Sequence, residues 1–238
     1  MDTLYLAAIC ATVPGLGRSR IPELIKALGS ARAVFEAEAA TLTATGLCTP
    51  KAVHNFLANR DARMPQKIDY FCRHYGVELL AYTDASYPQS LQNLSDKPLV
   101  LYIKGKLPEA PYALAIVGSR RCTEYGVRAA AYFAQAMTRE GIPIISGGAK
   151  GIDTAAHEAC LQAGGTTVAV LGCGLDIAYP PENARLFARI AERGALVSEY
   201  PPGVPPVMRR FIACCQLLLS SKISCGISTS LAPVRISS

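Results

Sequence analysis

Between residues 111 and 202 the chain repeats one pattern: a short apolar run closes on glycine, and a helix-forming segment follows. The runs are YALAIVGS, IPIISGG, TTVAVLGCG and ALVSEYPPG. The segments between them, TEYGVRAAAYFAQAMTREG, DTAAHEACLQAGG and PENARLFARIAERG, carry helix-like spacing and end on glycine. Runs that are apolar throughout, without alternation, suit strands buried on both faces. Joined by helices, they predict an α/β, Rossmann-like parallel sheet with helices on both faces. In such a sheet ligands bind at the C-terminal strand edge, in the loops between strand and helix. The candidate site therefore lies in three loops.

The first holds Gly118, Ser119 and Arg120. A glycine directly after a buried strand admits a ligand close to the backbone. Ser119 can donate to a phosphate oxygen, and Arg120 can fork two donors onto one phosphate. A surface turn with a chance arginine reads the same way. The second loop runs Ser146, Gly147, Gly148, Ala149, Lys150, Gly151 and leads straight into a helix. Its amides, the helix N-terminus and the Lys150 ammonium all favour an anion. Asp153 is expected to cap that helix by accepting from N–H groups one turn on. His157, one turn after Asp153, reads either as a structural histidine bonded to Asp153 or as a general base. The third loop, Gly172-Cys173-Gly174, leads to Tyr179 and Asn183. Tyr179 can stack on a base or pack on the adjacent prolines, and Asn183 can bond a base edge or a phosphate.

The rest of the chain narrows the choice. There is no Walker motif and no GxGxxG, and no acid ends the second strand to hold a ribose, so no cofactor is expected. The nine cysteines form no CxxC and no Cys/His cluster, so no metal is expected and the thiols read as structural. Half of the residues are hydrophobic and 18% are charged, which excludes a disordered chain. No apolar run reaches the roughly 18 residues of a membrane span, and no basic leader precedes the N-terminal apolar stretch. A cytoplasmic protein is expected. The net charge of +6, with no acid after Glu199, favours phosphate-bearing partners without naming one.

Ahead of the repeating pattern, residues 1–75 predict a small helical domain. It has two helix–glycine–helix units, with Gly46 in a turn, Thr49 as a cap and Pro50 at the next helix start. The plan resembles helix-hairpin-helix or SAM-like modules, and equally a plain helical bundle. Residues 76–110 read as a strand-containing connector packing on the core, and 111–213 as the Rossmann-like domain.

Taken together, IVGSR, SGGAKGIDTAAH, AGGTTVAVLGCGLDIAYPPEN and LVSEYPPG resemble the DprA/Smf family of bacterial DNA-processing proteins, in the family's order and spacing. The resemblance implies a non-catalytic protein that binds single-stranded DNA on an extended Rossmann fold. It implies a homodimer and delivery of DNA to RecA recombinase in natural transformation. On the family pattern Ser119, Arg120, the SGGAKG loop with Lys150, and Asn183 would contact DNA. Arg209, Arg210 and Phe211 resemble the basic-aromatic approach to the family's next motif. After about residue 213 the family pattern stops. Residues 214–238, rich in Ser and Cys, read as an aberrant, out-of-frame tail, so the domain is expected to be incomplete, one sheet edge bare and dimerisation doubtful. Two alternatives stay open. One is a nucleotide-processing enzyme of related fold, resembling nucleoside-monophosphate phosphoribohydrolases, with Asp153, His157 or Glu199 as acid or base. The other is a non-functional truncated product.

Overall fold

The computed structural model describes residues 1–13, 15–94 and 96–207, together with the backbone of Ile223–Ser224. Two compact units divide it. The first takes Met1–Ile103 and Ser198–Val204; the second takes Lys104–Val197 and the chain from Pro205 on.

The first unit is mostly helical. Its helices are α1 (Asp2–Ala11), α2 (Ile21–Leu28), α3 (Ala31–Glu36), α4 (Ala39–Ala44), α5 (Pro50–Asn59) and α6 (Met64–Tyr75). The expected turn chemistry is present. Thr49 caps α5 by accepting from Ala52 N–H, with Pro50 in the first turn, and Gly46 adopts a left-handed φ of 68°. Asp2 adds a cap from a distance, its carboxylate accepting from Ala31 and Arg32 N–H at 3.1 and 3.0 Å. Phe35, Phe56 and Leu24 fill the core, and the Arg60 guanidinium lies over both phenyl rings.

The connector expected at 76–110 divides elsewhere. Strand β1 (Val77–Ala81), the short helix α7 (Gln89–Gln92) and all of strand β2 (Val100–Gly105) up to Ile103 belong to the helical unit, so the boundary falls at 103/104. The reason is burial. Val77 and Leu80 are buried, and Tyr102 is buried beside Cys10 of α1 and Cys72 of α6. Removing these strands would strip that core of its apolar cover.

The second unit holds strands β3 (Leu114–Ala115), β4 (Ile144–Ser146), β5 (Thr167–Leu171) and β6 (Ala195–Ser198). Its helices are α8 (Glu124–Arg139), α9 (Ile152–Gln162) and α10 (Ala184–Arg193). The strands lie in the order β6-β5-β4-β3, and β3, β4 and β5 pair in parallel, with Leu114 opposite Ile144 and Ile144 opposite Thr167. Partners in a parallel ladder point to the same face, so Leu114, Ile116, Ile144, Ala169 and Leu171 share one side. Helices α8 and α9 pack on the first three of these, and α10 packs on the last two. All three described helices of this unit thus line a single face. The opposite set, Ala115, Val168 and Val170, is buried as well, so the sheet is out of water on both sides. The sequence leads to a bare sheet edge, and the described order does end in an edge strand, one strand beyond β3. That edge strand is β7 (Ile223–Ser224), supplied by the tail, which pairs with β3 through Leu114 and Ala115. Among the described residues no helix is long and apolar enough to cross a membrane.

Candidate nucleic-acid interface

The three loops at the C-terminal ends of β3, β4 and β5 come together, and their glycines explain how. A Cβ on Gly118 would sit 2.6 to 2.9 Å from three atoms of the Ile152 side chain, the first residue of α9. A Cβ on Gly151 would stand 2.4 Å from the Ser119 carbonyl oxygen, and Gly151 has a φ of 86°. A Cβ on Gly148 would meet Leu171 and Phe187 at 2.7 and 2.8 Å. These positions need glycine because neighbouring chains and side chains already fill the space. From sequence, Gly118 reads as room for a ligand and Gly148 and Gly151 as part of an anion-facing loop; in the structure all three first let the loops approach each other.

Buried side chains then fix the backbone of the second loop. The imidazole of His157, fully buried, meets the Gly147 carbonyl at 2.7 Å through Nε2 and Thr167 Oγ1 at 2.6 Å through Nδ1. A carbonyl only accepts, so Nε2 carries the proton. Burial pushes the pKa of the ring down to about 4, and Thr167 Oγ1, in contact with Nδ1, donates its proton to the Ile144 carbonyl at 2.9 Å. The expected bond from His157 to Asp153 is not made. Asn183, also buried, donates through Nδ2 to the Gly148 carbonyl at 3.0 Å and to Thr154 Oγ1 at 2.9 Å. Thr154 in turn donates to the Ala149 carbonyl at 2.8 Å. The carbonyls of residues 147, 148 and 149 are therefore each taken by a side chain from α9 or from the turn Pro181–Asn183. In a planar trans peptide the next N–H points opposite to the carbonyl. The amides of Gly148 and Lys150 thus point away from His157 and Thr154.

Asp153 does not cap α9. The N-terminus of α9 has no side-chain cap. The buried Asp153 carboxylate instead accepts backward, from Ala149 N–H at 3.3 Å, and lies beside the Gly118 backbone and the Ser146 side chain, which act on its charge. Burial is the largest influence on it and raises its pKa to about 6, against these groups and the charge of Arg120. Capping is lost because the loop folds back over the helix start and supplies nearer donors. Ser146 also lies 2.5 Å from the Ile116 carbonyl.

The polar groups of the first loop have local partners. Ser119 Oγ donates to the Arg121 carbonyl at 2.8 Å and accepts from Arg121 N–H at 3.1 Å, which sets the turn into α8. Arg120 is exposed and close enough to Asp153 for its charge to act there. Lys150 is exposed and pairs with Glu182 Oε1 at 2.5 Å, both side chains being more than half exposed. Asn183, read from sequence as a DNA contact, has its amide donors turned to Gly148 and Thr154 and is buried at 6% exposure. It braces the loop. Arg209, Arg210 and Phe211 lie outside the described residues.

Sequence reasoning missed Thr154, Thr167 and Glu182. Thr167 alone left a signal, as the polar residue opening an otherwise apolar strand. Glu199, a candidate acid or base from sequence, is nearly buried in the first unit, where it accepts from Arg18 at 2.7 Å. The thiols of Cys10 and Cys72 are pushed up by burial to about 12 and 11, so neither is poised as a nucleophile. No group of three potential metal ligands occurs among the described residues.

A family model for DNA recombination-mediator protein A matches residues 78–222, more than half of the chain. The chain belongs to that family. Its match to the Smf protein of Synechocystis sp. is 41% identical over 141 residues, covering 57% of this chain and 35% of that protein. The X-ray structure of DNA processing protein A (DprA) from Streptococcus pneumoniae superposes with a TM-score of 0.72 at 29% identity. That match covers 92% of this chain and 74% of that one. DNA processing protein A from Helicobacter pylori, a structure described for its single-stranded DNA binding mode, superposes with a TM-score of 0.59 at 29% identity. It covers 67% of this chain and 73% of that one. The match thus spans about a third of the length of the Smf relative. The family's Rossmann-like α/β fold and the loops named above fall together: residues 118–120, 146–153 and 179–183 all lie inside the matched segment.

Proposed function

We propose that this loop cluster binds single-stranded DNA through its phosphates, and that the protein acts on DNA without catalysing a reaction on it. The observation that carries this reading is the bracing of residues 147–149. Three carbonyls held by His157, Asn183 and Thr154 leave the Gly148 and Lys150 amides directed the other way, beside the exposed Lys150 ammonium. A preorganised run of amides with a cation at a helix start suits an anion, and it needs little reordering on binding. Arg120, Ser119 and Gly118 adjoin this run through the Gly151 contact. Single-stranded DNA is the phosphate bearer the family points to, since the Helicobacter pylori relative is described by its single-stranded DNA binding mode.

The test is a fluorescence-anisotropy titration with a labelled oligonucleotide. Arg120→Ala and Lys150→Ala should each weaken binding to all sequences about equally. Each should lower the slope of log K against log salt by about one, as released counterions are lost with the contact. Unchanged affinity in both variants rejects the site. We further propose that the strand is passed to RecA recombinase in the cytoplasm during natural transformation. Co-sedimentation with RecA on DNA tests this point, and sedimentation of the chain alone reads whether it forms the homodimer that the family resemblance implies. The enzymatic alternative has a weaker footing. His157 is enclosed with both nitrogens bonded, and Glu199 is engaged by Arg18. Base release from nucleoside monophosphates, lost in Asp153→Asn, is the result that would favour it.

A further inference from the structure

We propose that the exposed face of α8 is a stacking platform for bases of the single strand whose phosphates the loops hold, so that this inference rests on the reading above. Three rings stand out in water on this one helix: Tyr125 at 71%, Tyr132 at 68% and Phe133 at 42% exposure. Single exposed apolar residues are ordinary, but three rings on one helix form a patch that asks for a partner. The buried side of α8 is made of small residues, Gly126, Ala130 and Ala134, so the large apolar groups are on the wrong side for the core. Tyr125 and Tyr132 are seven residues apart and lie on one helix face, about 10.5 Å apart along the axis. That is roughly three base steps at about 3.4 Å each. Tyr132 and Phe133 meet edge to face at 5.6 Å, which fixes the orientation of both rings.

The chemistry of the surroundings selects the occupant. Arg128 lies between the two tyrosines in sequence and Arg139 follows one face-turn beyond; both are exposed. The carboxylates nearby are Glu124, paired loosely with Arg128 at 3.5 Å, and Glu140. The exposed apolar residues of the helix are the three rings and Val127. Rings interleaved with arginines, without a leucine or methionine ridge, suit stacked bases between phosphates better than the apolar face of another protein. The patch is also continuous with the loops. Ser119 bonds Arg121 at the turn, Thr123 caps α8 through Gly126 N–H at 3.2 Å, and Tyr125 follows. Tyr125 lies five positions after Arg120, so a strand held at the first loop runs directly onto the helix.

Two oligonucleotides of equal length, about 20 units, separate bases from phosphates: oligo-dT and an abasic phosphodiester. The full chain should bind oligo-dT more tightly. Tyr125→Ala/Tyr132→Ala should weaken oligo-dT binding about tenfold or more and leave abasic binding unchanged. Tyr125→Phe/Tyr132→Phe keeps the rings and should restore affinity, and a 5-iodouracil photocrosslink should map to α8. Lys150→Ala should weaken both oligonucleotides alike. If Lys150→Ala weakens both while the double alanine variant matches the parent on both, the platform is wrong and the phosphate site stands. If the parent binds neither oligonucleotide, both readings fall. A double alanine variant that changes the sedimentation of the free protein, with DNA affinity intact, makes the face a contact between copies and overturns the proposal.

Discussion

Replacing Asn183 by Ala separates two roles that the residue can have. As a DNA contact it would cost binding and little else. As a brace it would cost stability first. The structure supports the brace: the side chain is 6% exposed, and its Nδ2 donates to the Gly148 carbonyl at 3.0 Å and to Thr154 Oγ1 at 2.9 Å. Truncation removes two hydrogen bonds, each worth about 1 kcal/mol net, and leaves the carbonyl of buried Gly148 without its donor, at about 1–3 kcal/mol. The expected loss is about 2–4 kcal/mol, or a fall in Tm of roughly 5–15 °C for a chain of this size. Urea unfolding and calorimetry of parent and variant measure it directly. Affinity for single-stranded DNA should fall too, because the amides of the loop are no longer held in place. Asn183→Asp should be worse than Ala, since it sets a carboxylate against the Gly148 carbonyl. A variant that keeps its Tm within about a degree but loses DNA binding would refute the bracing argument and return Asn183 to the DNA.

Other perturbations act on the same framework. The His157 imidazole, pushed down to about 4, contributes stability that is complete above pH 6.5 and lost as pH falls toward 4; Asp153, raised to about 6, contributes stability that is complete below pH 3.8 and lost as pH rises through 6. The two slopes oppose each other, each worth up to about 3 kcal/mol. The parent should therefore be nearly flat in urea midpoint between pH 4 and 6, while Asp153→Asn loses stability on acidification and His157→Gln gains it; parallel curves for all three proteins would contradict the assignment. Gly118→Ala sets a methyl 2.6 Å from Cγ1 of the buried Ile152 and should cost about 1–3 kcal/mol. Thermal unfolding checks it, and an unchanged Tm would mean that the loop yields easily. Glu182→Gln releases Lys150 from its carboxylate and should tighten DNA binding at low salt without moving Tm, because the pair is exposed. Anisotropy and calorimetry on one preparation read both effects.

The helical caps were legible in local sequence. Thr49 with Pro50, and Gly46 in its turn, behave as residue type and spacing predict, because a cap depends on bonds within three or four residues. The three loops were legible as loops, since glycine after an apolar run announces a strand end. The partners of the side chains inside them were not. His157 and Asp153 are neighbours on a helix by sequence, but their bonds go to Thr167, Gly147, Ala149 and Gly118. Asn183 braces a loop that lies 35 residues away. The division at 103/104 rests on which core each strand covers, which strand propensity does not say.

What the chain determined alone was periodic and local: apolar runs that must be buried on both faces, helices between them, and cations and glycines at the strand ends. Backbone hydrogen bonding and burial impose that much on any chain with this pattern. Only the tertiary structure decided which way each polar group faces. Ser119, Asn183, Asp153 and His157 could each serve a ligand or the fold; Ser119 bonds within its own turn, and contacts with segments distant in sequence turn the other three toward the fold. Once a buried donor and acceptor meet, leaving either unpaired costs more than any surface contact returns. The same packing leaves Tyr125 and Tyr132 in water, because α8 turns only its small residues Gly126, Ala130 and Ala134 fully into the core.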